Sequence, residues 1–199
     1  SAIASAILQA YPGVPVRKTE EVRPVEVKEP KPGVFVFHLG QNFSGWARLK
    51  VQGPAGTKVT LRFAEMLNPD GTIYTTNLRG AKCTDSYVLR GSGEEAWEPR
   101  FTFHGFQYVE VTGYPGKPAL DAILGIVLNS SAPLTSSFEC SNPLINQLAA
   151  NCRWSQKGNF MDVATDCPTR ERNAWTGDSQ VYVRTAAHFM NVYPFFEKL

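Results

Sequence analysis

The 199-residue chain has little sulfur and little imidazole, with four cysteines, three methionines and three histidines. Cys83, Cys140, Cys152 and Cys167 show no CxxC spacing and no histidine beside them, which argues against a zinc centre. A chain this long does not need a disulfide for stability, so partly buried free thiols are expected and the compartment is left open. No apolar run approaches the roughly 20 residues of a membrane-spanning helix. The N-terminal SAIASAILQAYPG is too short and too weakly apolar to be one, so no membrane partner is expected. Basic residues are scattered, at 20 Lys and Arg against 18 Asp and Glu. Without a basic block to neutralise phosphates, nucleic acid is not an expected partner either. Small neutral ligands remain open.

What is present is ordinary globular material, 43% hydrophobic, in two halves of different period. From about Val34 to Ser137 the pattern is that of strands. In WARLKV and TKVTLRFA, Leu49, Val51, Val59, Leu61 and Phe63 alternate with Arg48, Lys50, Thr60 and Arg62, as in a sheet with one wet face. Turn signals recur at Gly53-Pro54-Ala55-Gly56, Asn68-Pro69-Asp70-Gly71, Gly91-Ser92-Gly93 and Gly113-Tyr114-Pro115-Gly116. The spacing predicts a mainly β fold, an antiparallel β-sandwich over residues 34–139. Residues 1–33, with the charged and proline-rich EVRPVEVKEPKPG, read as an N-terminal extension and linker. The aromatics Phe35, Phe37, Phe43, Trp46, Phe101, Phe103, Phe106 and Tyr108 fit core packing better than a sugar platform, because most fall on alternating positions.

After Cys140 the period changes. Ser141-Asn142-Pro143 is a helix start, followed by Leu144, Ile145, Leu148 and Cys152 on one face. A second helix is predicted from Thr176 to Ser179 onward, carrying Val181, Ala186, Ala187 and Phe189, and a third around Pro194. Two or three such helices cannot cover their own apolar faces, and Phe195 and Phe196 have no evident partner in the sequence. Residues 140–199 therefore read as the start of a longer helical domain.

Between the first two helices lies DCPTRERNAWTGD, residues 166–178. Pro168 and Gly177 keep Asp166, Glu171 and Asp178 off one regular helix face, so a folded loop is expected to gather them. Paired carboxylates suit vicinal hydroxyls, the apolar face of a pyranose stacks on an indole such as Trp175, and the Arg170 fork can orient a carboxylate or a hydroxyl. The competing reading is ion pairing alone, with Asp166 and Glu171 facing Arg170 and Arg172 and Asp178 capping the next helix. A calcium site is a third, but the DxDxDG order is missing and the arginines oppose a cation. His38, His104 and His188 lack partner spacing and read as structural, His104 as a hydrogen-bonding group within the sandwich. Glu65 and Asp85 are isolated carboxylates with no catalytic part.

The loop DCPTRERNAWTGD resembles the signature of bacterial α-L-rhamnosidases of glycoside hydrolase family 78, in a form one residue shorter between Asp166 and Trp175. LGQNFSGWARLKVQGPAGTKVTLRFAE, DGTIYTTNLR and PRFTFHGFQYVEVTGYPG resemble the sandwich that precedes the catalytic domain in that family. FECSNPLINQLAANCRWSQKGNFMDVATDCP resembles the entry into its helical barrel. The resemblance implies an antiparallel β-sandwich followed by the first helices of a truncated (α/α)₆ barrel, and inverting hydrolysis of terminal α-L-rhamnose from glycosides or oligosaccharides. It implies Glu171 as general acid and Asp166, Arg170, Trp175 and Asp178 as ring-holding residues; no motif in the chain demands a metal, and no cofactor is expected. It further implies a general base on the remaining barrel of the same full-length chain, so that the isolated chain is inactive. For Glu171 to act as the acid, Arg170 and Arg172 are expected to point away from it or to be neutralised by other acids. The alternative is a non-catalytic sandwich module that binds carbohydrate or packs between domains.

Overall fold

The computed structural model describes residues 10–130 and 132–198, so most of SAIASAILQAYPG lies outside the described residues. Among the described residues, ten strands and three α-helices follow in chain order. They are β1 (Arg17–Val22), β2 (Glu26–Lys31), β3 (Val34–Gln52), β4 (Lys58–Ala64), β5 (Thr84–Val88), β6 (Glu94–Trp97), β7 (His104–Thr112), β8 (Ile123–Asn129), α1 (Pro143–Asn159), β9 (Phe160–Met161), β10 (Val163–Ala164), α2 (Thr176–Phe189) and α3 (Tyr193–Phe196).

One curled antiparallel sheet holds the first eight strands in the order β1-β8-β3-β7-β4-β5, with β2 and β6 also paired to β3. β3 makes this possible. Its first half runs between β2 and β7, and its second half leaves β7 for β8 and β6, after a shift of register between His38 and Phe43. At the changeover Gly45 is opposite both His104 and Val127, and a Cβ there would lie 1.9 Å from the Ile126 carbonyl oxygen. Only glycine lets three strands meet so closely. The sheet thereby closes over itself, and inward residues of both layers form a single core containing Phe37, Leu49, Leu61, Phe63, Phe106, Val109 and Ile123. Burying each such side chain contributes about 1.5–3 kcal/mol. Phe106 also packs against Phe43 and Phe63, with ring centroids 4.6 and 4.7 Å apart. The alternation expected for WARLKV and TKVTLRFA is observed, and Phe35, Phe37, Phe43 and Phe106 belong to the core while Phe101 is fully exposed.

The linker expected over residues 1–33 is corrected from Arg17 onward. β1 pairs with β8 and β2 with β3, the latter with a register shift between Lys28 and Lys31 at Pro30. Charged residues obscured these strands because each lies at a margin of the sheet with little to bury, where proline is also tolerated.

α1 starts as the sequence indicates, with the Asn142 side chain accepting the Leu144 N–H at 2.9 Å and Pro143 in the first turn. The apolar face legible in the sequence is left uncovered, with Leu144, Ile145 and Leu148 exposed, whereas Trp154 packs against the sandwich core. The Ser44 hydroxyl donates to the Gly158 carbonyl at 2.5 Å, and Lys157 pairs with Glu20, fixing the end of α1 on the sheet. A second core gathers Phe160, Ala186, Met190 and Phe195. Phe195 finds the partner that the sequence did not reveal, since its ring stacks on Phe160 at 4.1 Å.

One buried carboxylate ties β6 to the turn before it. Glu95 accepts the Tyr87 hydroxyl at 2.6 Å and the Gly91 and Arg90 N–H groups at 2.9 and 3.2 Å. These bonds, Tyr87 first, outweigh burial and lower its pKa from 4.5 to about 2. A depressed folded-state pKa stabilises above the unfolded value and loses that contribution as pH falls through the folded one. Urea unfolding should therefore show Glu95→Gln less stable than the parent by a constant margin above pH 5 or so, and the margin should shrink between pH 4.5 and about 2. A margin independent of pH over that range would refute the assignment.

Candidate active site

The charged loop leaves the β9–β10 hairpin and is closed on itself by backbone and carboxylate together. Thr165 bridges Ala174, the Asp166 N–H donates to the Asn173 carbonyl at 3.0 Å, and the Asn173 N–H donates to Asp166 Oδ1 at 3.0 Å. Inside this ring the Cys167 carbonyl accepts the N–H groups of Arg170 and Arg172, each at 3.3 Å. The turn closes with Arg172 in the left-handed region, φ 58°.

Asp166 is the hub of the side chains. Its Oδ2 accepts the Trp175 indole N–H at 3.1 Å. Burial pushes the Asp166 carboxyl up, but the Asn173 N–H bond, the adjacent Glu171 side chain and the Trp175 indole bond prevail and hold it below its usual value. Glu171 lies on the other side, half exposed, and accepts Arg170 Nε and Nη2 at 3.3 and 3.2 Å. Arg170 Nη1 donates to the Asn77 carbonyl at 3.3 Å. Ligand atoms of Asp166, Cys167 and Glu171 lie within 4.8 Å of one another, but the carboxylate oxygens are engaged by N–H donors and Arg170 opposes a cation.

Four of the five residues singled out from the sequence thus come together as two hydrogen-bonded pairs, Asp166 with Trp175 and Arg170 with Glu171, whose carboxyl groups lie within 4.8 Å of each other. Asp178 stands apart in the first turn of α2. With Asp166 it lines a cavity of about 220 Å³ whose other walls include Ser155, Gln156, Asn159 and Tyr182. The Trp175 side chain is half exposed, which leaves ring surface open to a ligand. Of the two guanidinium groups, expected to turn away from Glu171 or to be neutralised by other acids, Arg172 turns away and Arg170 pairs with Glu171 itself. Arg170 is adjacent on an exposed turn, with its third nitrogen held by Asn77.

The sandwich grips this loop at points that sequence reading did not connect. Pro168 lies against Gly105, where a Cβ would come within 2.8 Å of the proline Cγ. The buried Cys83 thiol, its pKa pushed up by that burial, donates to the Thr169 carbonyl at 2.7 Å. Arg172 Nη2 reaches His104 Nδ1 at 3.3 Å, and His104 Nε2 lies 3.0 Å from Asp85. His104 has the hydrogen-bonding role expected of it, with one nitrogen turned toward the loop. The one local signal was His104-Gly105 at the start of a strand, a small residue where another backbone comes close.

Comparison with known proteins places both halves. Residues 28–129 match the model of the bacterial alpha-L-rhamnosidase concanavalin-like domain, and residues 133–199 that of the bacterial alpha-L-rhamnosidase 6 hairpin glycosidase domain. An alpha-L-rhamnosidase of Streptomyces avermitilis is 57% identical over 185 residues, covering 92% of this chain and 18% of that protein. One from Formosa agariphila is 41% identical over 202 residues, covering 95% and 22%. The crystal structure of the Streptomyces avermitilis alpha-L-rhamnosidase complexed with L-rhamnose superposes with a TM-score of 0.91 at 56% identity, over 94% of this chain and 18% of that one. The chain spans about a fifth of the length of these curated relatives. With a sandwich and a helical segment that each match, in order, the chain belongs to the bacterial alpha-L-rhamnosidases of glycoside hydrolase family 78.

Proposed function

We propose that this chain carries the acid side of an active site that hydrolyses terminal α-L-rhamnosides with inversion at the anomeric carbon. Residues 34–139, extended to Arg17 by β1 and β2, form the sandwich, and residues 140–199 open the helical catalytic domain. Glu171 is the general acid, and Asp166, Arg170, Trp175 and Asp178 hold the sugar. The observation that carries this reading is the Asp166 hub, where a carboxylate that accepts from the Asn173 N–H and the Trp175 indole N–H lies within 4.8 Å of the Glu171 carboxyl. Ion pairing alone explains the Arg170–Glu171 contact but not why a second carboxyl shares the Asp166 site.

In the proposed reaction Glu171 delivers its proton to the glycosidic oxygen as the bond from that oxygen to the anomeric carbon breaks, its electron pair leaving with the oxygen. Water attacks the opposite face and loses its proton to a second carboxylate, which in inverting enzymes stands about 6.5–9.5 Å from the first. That base is proposed to come from the part of the relatives' length that this chain does not span. Ring hydroxyls are proposed to draw Arg170 from Glu171, with the open face of Trp175 receiving the apolar face of the ring.

Glu171→Gln in the full-length protein should slow substrates with poor leaving groups by on the order of 10²–10⁴-fold and activated aryl rhamnosides much less, since their leaving oxygen needs less protonation. Asp178→Asn should weaken both classes by the same factor. Equal losses for both classes in Glu171→Gln would move the acid elsewhere, Asp166 being next to test. The isolated 199-residue chain should turn over an aryl α-L-rhamnoside no faster than buffer; turnover proportional to its concentration would place the base within it.

A further inference from the structure

We infer that Arg172 is a positioning residue for Glu171, and that it is held from the sandwich by His104 and Asp85. The inference rests on Glu171 being the acid. Arg172 follows Glu171 directly, and its left-handed backbone sends the two side chains different ways. Glu171 faces outward beside Asp166 and Arg170, while the Arg172 guanidinium turns inward over the Phe103 ring, 5.1 Å from its centroid. The orientation of one side chain therefore fixes that of the other.

The chemistry of the inward contact defines the imidazole. A guanidinium has no acceptor atom, so His104 Nδ1, 3.3 Å from Arg172 Nη2, must present its lone pair. The ring proton is then on Nε2 and is donated to Asp85 Oδ2 at 3.0 Å. The imidazole is buried and lies flat on Phe63, centroids 4.2 Å apart and planes within 14°. Asp85 thus selects the tautomer, Phe63 fixes the ring plane, and the lone pair fixes Arg172. A carboxylate on a sandwich strand is linked by two contacts to the residue beside Glu171.

Arg172 bears costs that a merely stabilising contact would avoid. It is a non-glycine residue at positive φ, and its Nε is buried with no hydrogen-bond partner among the described residues. A solvated side chain would escape the second cost. Local rules broken together in this way are typical of functional sites, where a fixed geometry is needed.

The test uses the full-length protein and the ratio of its rate on an activated aryl α-L-rhamnoside to that on an alkyl α-L-rhamnoside. This ratio does not depend on the fraction of enzyme folded, so loss of stability alone leaves it unchanged. Arg172→Lys and His104→Ala should raise it by on the order of tenfold, with kcat falling and KM little altered, as expected when the acid is misplaced and the sugar is still held. Asp85→Ala should raise it as well, and Asp85→Asn, whose amide oxygen still accepts the Nε2 proton, should raise it less. An unchanged ratio in Arg172→Lys and His104→Ala overturns the inference. Glu171→Gln, measured alongside, separates the two ideas. If it raises the ratio and the Arg172 and His104 variants do not, positioning alone fails; if it leaves the ratio unchanged, the acid reading fails and takes this inference with it.

Discussion

The charged loop has almost no regular structure of its own, and its geometry depends on being clamped against the sandwich. A loop that presents polar side chains to a ligand leaves few apolar groups to bury and would be among the least stable parts of the molecule. Here Pro168 lies on Gly105, Thr169 is held by the Cys83 thiol, Arg170 reaches the Asn77 carbonyl, and Arg172 enters the sandwich at His104. Four of the five positions from Pro168 to Arg172 are therefore tied to two places in the β half, the start of β7 and the connection from β4 to β5. The sandwich is a wall of the candidate site.

The same dependence runs back to the centre of the fold. His104 and Gly105 open β7 opposite Gly45 and Ser44, where β3 passes from one layer to the other. Ser44 in turn bonds the end of α1. From α1, Gln156 donates to the Ala186 carbonyl and the Cys152 carbonyl accepts the Tyr182 hydroxyl, which sets α2. Asp166 and Asp178, which line one cavity, are thus placed by two routes that start from neighbouring residues of a single strand. A shift at the β3 changeover would move both.

What the sequence disclosed follows from which signals are local. Alternation in β3 and β4 was legible because these strands have one buried face, whereas β1 and β2, charged and marginal, offered no period to read. The Asn142-Pro143 start of α1 needs only three residues and was visible. Which face of α1 turns inward was not, since Leu144 and Leu148 are apolar yet exposed while Trp154 and Gln156 make the packing. The hub residues Asp166, Glu171 and Trp175 fall within ten positions and could be grouped by composition. Arg172 could not be given its partners, because His104 and Cys83 are 68 and 89 positions away and pairing at that distance leaves no mark in a single sequence. The family resemblance supplied roles for the loop residues but said nothing of the clamp beneath them.

The central claim is that sandwich side chains act on Glu171 through Arg172, and a double-variant cycle tests it most directly. If they act through that carboxyl, removing it removes their effect, so adding Arg172→Lys to Glu171→Gln should leave the aryl-to-alkyl rate ratio where Glu171→Gln alone puts it. A ratio in the double variant equal to the product of the two separate increases would show Arg172 acting independently of Glu171, and would contradict the account.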